Sequence, residues 1–200
     1  MCYKIKNLIN VLLTKVKFKR MSSSIGKIIS SNNPQYICVG KRVRIKDHCR
    51  IDCYKSFGGG EYNPALIIGD GVIIQYQFTC LIADRCEIGN DTIIAHNVSI
   101  ITESHGTEIE SNTPFHAQRL KTGSCIIGSN CWIGCNVVFL PNSSIGNNCI
   151  VAANSVVNKK FPDNCMIGGT PAHILKTYDF EKHKWIKVYE TKIKDKKDNE

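Results

Sequence analysis

The 200-residue sequence lacks several features that would assign it to a common class. No apolar run approaches the roughly 20 residues that span a bilayer. The longest run in the basic N-terminal segment, residues 11–13, is too short for a signal peptide. No pair of CxxC motifs is present, which argues against the usual zinc site, and no phosphate-binding glycine loop occurs. We therefore expect a cytoplasmic protein that holds no metal.

Positive charge is scarce outside the first quarter of the chain, although the formal net charge is +9. Residues 1–50 carry 12 Lys and Arg against one acidic residue, whereas residues 51–200 carry 14 basic and 16 acidic residues. This near-neutral body argues against a nucleic-acid partner. Residues 1–36 form a basic segment in which residues 5–16 have the spacing of an amphipathic helix. Residues 1–20 then have two open roles: peripheral contact with the inner face of the membrane, or packing on the rest of the protein.

A six-residue period is the main feature that the sequence does contain. Four runs place Ile or Val at every sixth position, and the position that follows is usually Gly or Ala. This period fits neither a helix nor a simple sheet, and it predicts stacked coils of short strands with one large side chain inside each strand. Fourteen of the fifteen slots hold Ile or Val and one holds Phe: Val39, Ile45, Ile51, Ile68, Ile74, Ile82, Ile88, Ile94, Ile100, Ile127, Ile133, Phe139, Ile145, Val151 and Val157.

The 11 cysteines follow the same period. Cys49, Cys86, Cys131 and Cys149 lie four positions after an aliphatic slot, where the repeat favours compact side chains. Free cysteine packs as a small hydrophobic residue, and disulfides belong mainly to secreted proteins. We therefore predict that these four cysteines fill the interior rather than bind a metal or form disulfides.

The sequence at 126–157, IIGSNCWIGCNVVFLPNSSIGNNCIVAANSVV, is followed by IGGTPAHILK at 167–176. Together they resemble the hexapeptide-repeat O-acetyltransferases of the maltose/galactoside and lipopolysaccharide/capsule group. The resemblance covers residues 37–176 and implies an all-β fold, a left-handed parallel β-helix shaped as a triangular prism. It also implies acetyl-CoA as co-substrate and a homotrimer with active sites between neighbouring subunits. Residues 1–36 would add the short helix, and residues 177–200 a C-terminal cap and tail.

Three breaks interrupt the period, and an insertion in a stacked fold must leave it as a loop. The first is the Gly-rich stretch 55–66, the second is a slip of two residues around 79–81, and the third is the polar stretch 104–124. We expect the third break to be a protruding catalytic loop, because it contains two of the six histidines.

His105 begins this loop, and the resemblance implies that it is the catalytic base. A neutral imidazole is well suited to take the proton of a sugar hydroxyl and return it to the departing thiolate. Several relatives carry an acidic residue three positions earlier, whereas this chain has Thr102. Glu103, Glu108 or a backbone carbonyl could orient the ring instead.

The resemblance and the repeat indicate further site residues. Gln77, Trp132 and His116 are the candidates for contact with the acceptor substrate. Two small residues, Cys135 and Ala153, would let the backbone approach the pantetheine arm of CoA, and basic residues would face its phosphates. The full set of predicted CoA contacts is Cys135, Ala153, Asn158, Lys159, His173 and Lys176.

These observations predict an O-acetyltransferase that moves an acetyl group from acetyl-CoA to a saccharide hydroxyl, in surface polysaccharide or lipopolysaccharide biosynthesis. The alternative enzyme reading is an N-acetyltransferase acting on an amino sugar, or a xenobiotic acetyltransferase. A metal-dependent hydratase of the same fold would need clustered histidines, and His96, His105 and His116 do not suggest such a cluster. A non-enzymatic scaffold or ice-binding surface would show flat Thr or Ser ladders and no long polar loop, unlike this sequence.

Overall fold

The structure is a computed structural model that describes residues 24–26 and 28–188, with the backbone alone for residues 28–30. The predicted helix at 5–16 lies outside the described residues. Within them the chain forms short strands, numbered β1 to β25 along the sequence, and three brief 3-10 turns at Pro34–Tyr36, Ile109–Ser111 and Phe115–Ala117. Most strands belong to three sheets, and each sheet forms one face of a triangular prism.

The chain visits the three faces in turn on every coil. Face 1 contains β1 (Ser24–Ile25), β4 (Arg44–Ile45), β9 (Ile73–Ile74), β12 (Ile93–Ile94), β17 (Trp132–Ile133), β20 (Ile150–Val151), β23 (Cys165–Gly169), β24 (Ala172–Asp179) and β25 (Lys184–Lys187). Face 2 contains β2 (Ile28–Asn32), β5 (Cys49–Cys53), β10 (Thr79–Ile82), β13 (Ser99–Ile101), β18 (Val138–Phe139) and β21 (Val156–Val157). Face 3 contains β3 (Ile37–Val39), β8 (Ala65–Ile68), β11 (Arg85–Ile88), β16 (Cys125–Ile127), β19 (Ser143–Ile145) and β22 (Lys160–Phe161).

Strands on each face pair in parallel with those of the coils above and below, so that equivalent residues stack. On face 1, Ile94 is in register with Ile74 on one side and Ile133 on the other. The period of six thus brings one aliphatic side chain per strand into a column inside the prism. All fifteen slots predicted from the sequence are at most 2% exposed, which confirms the interior assignment.

The four cysteines predicted to pack in the interior are buried, and the structure contains them as free thiols. Burial raises the pKa of Cys49 to about 11, so this thiol stays protonated at neutral pH. All four side chains are excluded from solvent and pack in the interior as small residues, as the sequence predicted.

The coils turn at three corners: the first corner joins face 1 to face 2, the second joins face 2 to face 3, and the third joins face 3 to face 1. Asparagines in left-handed conformation recur at the first and third corners. This conformation suits Asn better than most residues. Their side-chain amides form ladders along the prism, from Asn97 to Asn136 to Asn154 at the first corner and from Asn130 to Asn148 to Asn164 at the third.

The three breaks in the period fall at the second corner of three successive coils. Between β5 and β8 the chain forms a hairpin of β6 (Ser56–Phe57) and β7 (Gly60–Glu61). Between β13 and β16 it forms a loop on a stem of β14 (Glu103–Ser104) and β15 (Lys121–Thr122). The slip expected at 79–81 lies one step later, between β10 and β11, because Cys80 keeps the register of Ile51 and Ile100.

The prism extends beyond the range 37–176 at both ends. Within the described residues it is already formed at Ser24, because Ile25, Ser31 and Ile37 continue the six-residue period, with the buried Ser31 opposite Ile51. At the other end, β24 and β25 add two antiparallel strands to face 1. None of the described helical turns is long and apolar enough to cross a membrane.

Candidate functional site

The two insertions of the second corner pack against each other. The tip of the hairpin insertion (residues 55–62) reaches the loop insertion (residues 103–122), where the Leu120 N–H donates to the Tyr62 hydroxyl over 2.7 Å. That hydroxyl in turn donates to the Phe57 carbonyl over 3.2 Å. Gly58 has φ +56°, and any side chain there would collide with the Gln118 carbonyl. Two segments about 50 residues apart in sequence thus form one structure.

His105 stands at the junction of these insertions, directly after β14. Its ring lies 5.3 Å from the ring of Phe57, centroid to centroid, at an angle of 59°. The side chain is exposed, and neither ring nitrogen has a hydrogen-bond partner among the residues that the structure describes. The imidazole is therefore held on one side by an aromatic wall and open to a ligand on the other.

A charged network is linked to this histidine through Glu103. Burial raises the pKa of the Glu103 carboxyl, although attraction to His105 and Arg50 acts in the opposite direction. Arg50 Nε lies 2.7 Å from Asp52 Oδ2, and Arg50 also donates to the Tyr54 hydroxyl over 3.3 Å. Burial, together with the Asp52 carboxylate, raises the pKa of Tyr54. The corner beside His105 thus carries a compact polar network on face 2.

Thr102 does not replace the acidic residue that several relatives carry at this position. Its side chain is fully buried, and its hydroxyl accepts the N–H groups of Ala83 and Asp84 over 2.9 and 3.1 Å. Thr102 therefore ties the loop stem to the neighbouring coil. Glu108, the other acidic candidate, pairs with Lys121 at 3.0 Å, whereas Glu103 interacts electrostatically with His105.

Gln118 organises the interior of the loop insertion. Its amide oxygen accepts the Glu108 N–H over 2.9 Å, and its amide nitrogen donates to the carbonyls of Glu108 and Thr113 over 2.9 and 2.7 Å. The side chain is buried. His116, in contrast, is exposed on a 3-10 turn of the same loop. The structure therefore gives His105 and His116 different surroundings.

The first corner carries three of the other predicted residues. Cys135 and Ala153 occupy the same slot in successive coils, and the Asn154 N–H donates to the Cys135 carbonyl over 2.9 Å. In the coil beneath Cys135 the same slot holds His96, whose Nδ1 lies 3.4 Å from the Cys135 thiol. Gln77 has φ 63° and takes the position of the ladder asparagines. These residues lie across face 2 from His105 within one chain.

The remaining predicted residues lie elsewhere on the prism. Asn158 and Lys159 are exposed at the second corner, after β21, and the Lys159 ammonium lies 5.5 Å from the Phe161 ring centroid. His173 and Lys176 are in β24. Trp132 projects from face 1 and is 58% exposed. Within one chain the six predicted CoA contacts therefore lie in three separate places: the first corner, the second corner and strand β24.

Phe57, Tyr62 and Gln118 are the residues of this site that sequence reasoning missed. All three belong to insertions, where the six-residue period gives no information about direction. The run Gly58–Gly59–Gly60 was the available signal, because a Gly-rich turn permits a close approach of backbone to a neighbour. No group of His, Cys, Asp and Glu suited to a metal ion occurs among the described residues.

Comparisons with known proteins agree with this geometry. Residues 124–159 match a family profile described as bacterial transferase hexapeptide, six repeats. The Escherichia coli K12 protein WbbJ, whose name assigns it provisionally to lipopolysaccharide biosynthesis as an O-acetyl transferase, is 33% identical over 194 residues. The alignment covers 94% of this chain and 95% of WbbJ.

A second relative and a solved structure extend the comparison. The galactoside O-acetyltransferase of Escherichia coli K12 is 30% identical over 134 residues, which cover 64% of this chain and 62% of the relative. AntD, an N-acyltransferase from Bacillus cereus solved with dTDP and 3-hydroxybutyryl-CoA, has a TM-score of 0.63. The match covers 94% of this chain and 97% of AntD at 20% identity, and it shows a common fold, the left-handed β-helix.

Proposed function

The chain belongs to the hexapeptide-repeat acetyltransferases, and from that premise we propose that it moves an acetyl group from acetyl-CoA to a saccharide hydroxyl with His105 as general base. It is an acetyl-CoA-dependent enzyme of the O-acetyltransferase group. The observation that supports this role for His105 is its position between two packed insertions, with both ring nitrogens open to a ligand.

The proposed reaction uses the two protonation states of one imidazole. Neutral His105 takes the proton from the acceptor hydroxyl while that oxygen attacks the thioester carbonyl. As the tetrahedral intermediate collapses, the carbon–sulfur bond breaks and the imidazolium returns the proton to the CoA thiolate. Glu103 assists as a positioning residue, because its carboxylate attracts the imidazolium that forms between the two steps. Phe57 fixes the plane of the ring.

The proposed CoA contacts depend on the association of several copies of the chain. Cys135 and Ala153 offer small side chains at the first corner, whereas Asn158 and Lys159 are exposed at the second corner. A homotrimer about a threefold axis repeats the same contact at each boundary and can bring the first corner of one copy beside the second corner of the next. In that arrangement both corners, together with His173 and Lys176, would line one groove for CoA.

Three further residues are proposed to contact the acceptor: Gln77 and Trp132 from the prism and His116 from the loop. The acceptor class, a saccharide of lipopolysaccharide or surface polysaccharide, is supported by the similarity to WbbJ over nearly the whole chain. A peripheral membrane contact through residues 1–20 would suit a lipid-linked acceptor. The basic composition of those residues supports this proposal.

The test is acetyl transfer from isotopically labelled acetyl-CoA to a panel of oligosaccharides and amino sugars, read by mass spectrometry. We expect His105→Ala to reduce turnover on the order of 100-fold or more, with acetyl-CoA binding retained. His183→Asn is the matched control, because this exposed histidine lies in a left-handed turn of the C-terminal hairpin that Asn tolerates.

The product distinguishes the two enzyme readings. A base-labile ester supports transfer to a hydroxyl, whereas a base-stable amide supports transfer to an amine. Equal turnover by wild type and His105→Ala would exclude His105 as the base. Failure of the wild type both to bind acetyl-CoA and to modify any member of the panel would contradict the proposed function.

A further inference from the structure

An open cavity of about 470 Å³ lies on face 1, where the C-terminal hairpin β24–β25 approaches the third corner and strands β17 and β20. Its volume is within the range of small-molecule binding sites. The cavity borders the third corner, so within one chain face 3 separates it from the second corner, which holds His105. Its lining residues are Asn130, Trp132, Asn148, Ile150, Asn164, Tyr178, Phe180 and Trp185.

One side of this cavity is built from the asparagine ladder of the third corner. The amide of Asn130 donates to Asn148 over 2.8 Å, and the amide of Asn148 donates to Asn164 over 3.0 Å. Each bond uses one of the two N–H groups of the amide. The second N–H of each side chain has no partner among the described residues, so the ladder presents donors at a spacing of about 4.8 Å, the distance between strands.

The opposite side is aromatic. The Tyr178 ring packs edge-on against Phe180 at 5.1 Å and against Trp185 at 5.4 Å, centroid to centroid. Phe180 is 65% exposed, and Trp132, on face 1, is 58% exposed. The Tyr178 N–H donates to the Asn164 carbonyl over 3.0 Å, which joins this aromatic cluster to the end of the ladder. The aromatics thus form an exposed apolar surface that faces the ladder across the cavity.

We propose that this cavity binds neutral sugar rings of the glycan acceptor, apart from the ring that receives the acetyl group at His105. Sugar rings have apolar C–H faces that pack on exposed aromatic rings, and their hydroxyls accept from amide N–H groups. None of the lining residues is charged, which argues against a phosphate or a nucleotide as the ligand. An apolar protein segment fits poorly, because it would leave the ladder donors buried without acceptors.

The proposal rests on the proposed saccharide acceptor, but its test measures binding rather than turnover. Maltohexaose and β-1,4-linked galactohexaose are titrated into the full chain by calorimetry, with tetragalacturonic acid as the anionic comparison. We expect the neutral chains to bind and Phe180→Ser or Trp185→Leu to weaken them roughly five- to tenfold. Trp185→Phe should restore most of the affinity, since it keeps an aromatic ring.

Ile109→Ser is the matched control, because Ile109 is 86% exposed and lies in the loop insertion, away from the cavity. Unchanged saccharide binding by Phe180→Ser and Trp185→Leu would overturn the proposal, as would tighter binding of the anionic chain. A lower particle mass for these variants in light scattering would also overturn it, because the cavity would then be a contact between copies. Loss of glycan binding with acetyl transfer intact for short acceptors would support the cavity independently of His105.

Discussion

The second corner of the prism differs from the other two in the way it turns the chain. At the first and third corners, left-handed asparagines repeat from coil to coil and bond to one another through their amides. At the second corner, three successive coils carry extra residues, and two of these insertions leave the stack. The regular corners fix the spacing of the prism, whereas the irregular corner holds His105.

This difference shows how a repetitive fold accommodates a reactive group. Every position of a regular corner is constrained by equivalent positions above and below it, so a new side chain there must satisfy both neighbours. An insertion is free of that constraint, provided that its stem is anchored. Here the stem is anchored by Thr102, and the outer part by contact between the hairpin and the loop.

The largest effect is expected from breaking the anchor of the irregular corner. Thr102→Val keeps the shape of the side chain but removes the acceptor for two N–H groups, those of Ala83 and Asp84. Leaving buried donors unpaired costs about 1–3 kcal/mol each. We expect the free energy of unfolding to fall by about 3 kcal/mol, measured by urea denaturation.

Thr102→Ser is the control for this measurement, because it retains the hydroxyl and loses only a methyl group. The serine variant should be much closer to wild type than the valine variant. If both variants lose the same stability, then the hydroxyl is not the anchor, and packing of the methyl group explains the role of Thr102.

A smaller effect is expected at a regular corner. Asn136 donates to Asn154 and accepts from Asn97, with φ 58°. Asn136→Gly removes the ladder bonds but tolerates the conformation, and it should cost about 1 kcal/mol. Asn136→Ala adds the penalty of the left-handed conformation and should cost about 2 kcal/mol. Equal losses in thermal denaturation would show that the ladder, and not backbone conformation, explains the asparagine.

The regular part of the molecule could be predicted because each slot repeats a physical requirement. A period of six identified the interior residues, and it assigned four cysteines to packing. The aliphatic pattern failed at Ser31 and Cys80, which keep the six-residue register but place a small or polar side chain where the other strands have Ile or Val. For this reason the prism begins before residue 37, and the slip lies later than expected.

The candidate site could be predicted only in part. The breaks in the period located the loop and His105. They did not reveal that all three insertions share one corner, because the corner depends on which strand of the coil each insertion follows. The contact of Phe57 with His105 joins segments about 50 residues apart, and only folding brings them together. Gln77 was linked to the acceptor by sequence alone, and the structure gives it a corner position instead of a place beside His105 within the chain.

The smallest effect should come from the charge beside the base, and it tests whether the irregular corner tunes chemistry as well as position. Burial raises the pKa of Glu103, which means that the folded protein disfavours the ionised carboxylate at this position. Glu103→Gln should therefore not lower the free energy of unfolding at neutral pH. The carboxylate also attracts protonated His105. Without the carboxylate the imidazolium that forms during the reaction is less favourable, so Glu103→Gln should lower kcat at neutral pH by less than about tenfold. The loss should narrow as the pH falls through the raised pKa of Glu103, because the wild-type carboxyl then becomes neutral as well, and kcat measured across pH checks this.

Glu108→Gln serves as the comparison, because Glu108 pairs with Lys121 rather than with the catalytic candidate. Its pH profile should coincide with that of the wild type. A wild-type kcat in Glu103→Gln at neutral pH, or an equal loss in both variants, would mean that Glu103 does not act on His105. A loss confined to Glu103→Gln that narrows at acid pH would identify Glu103 as the acidic residue that acts on His105.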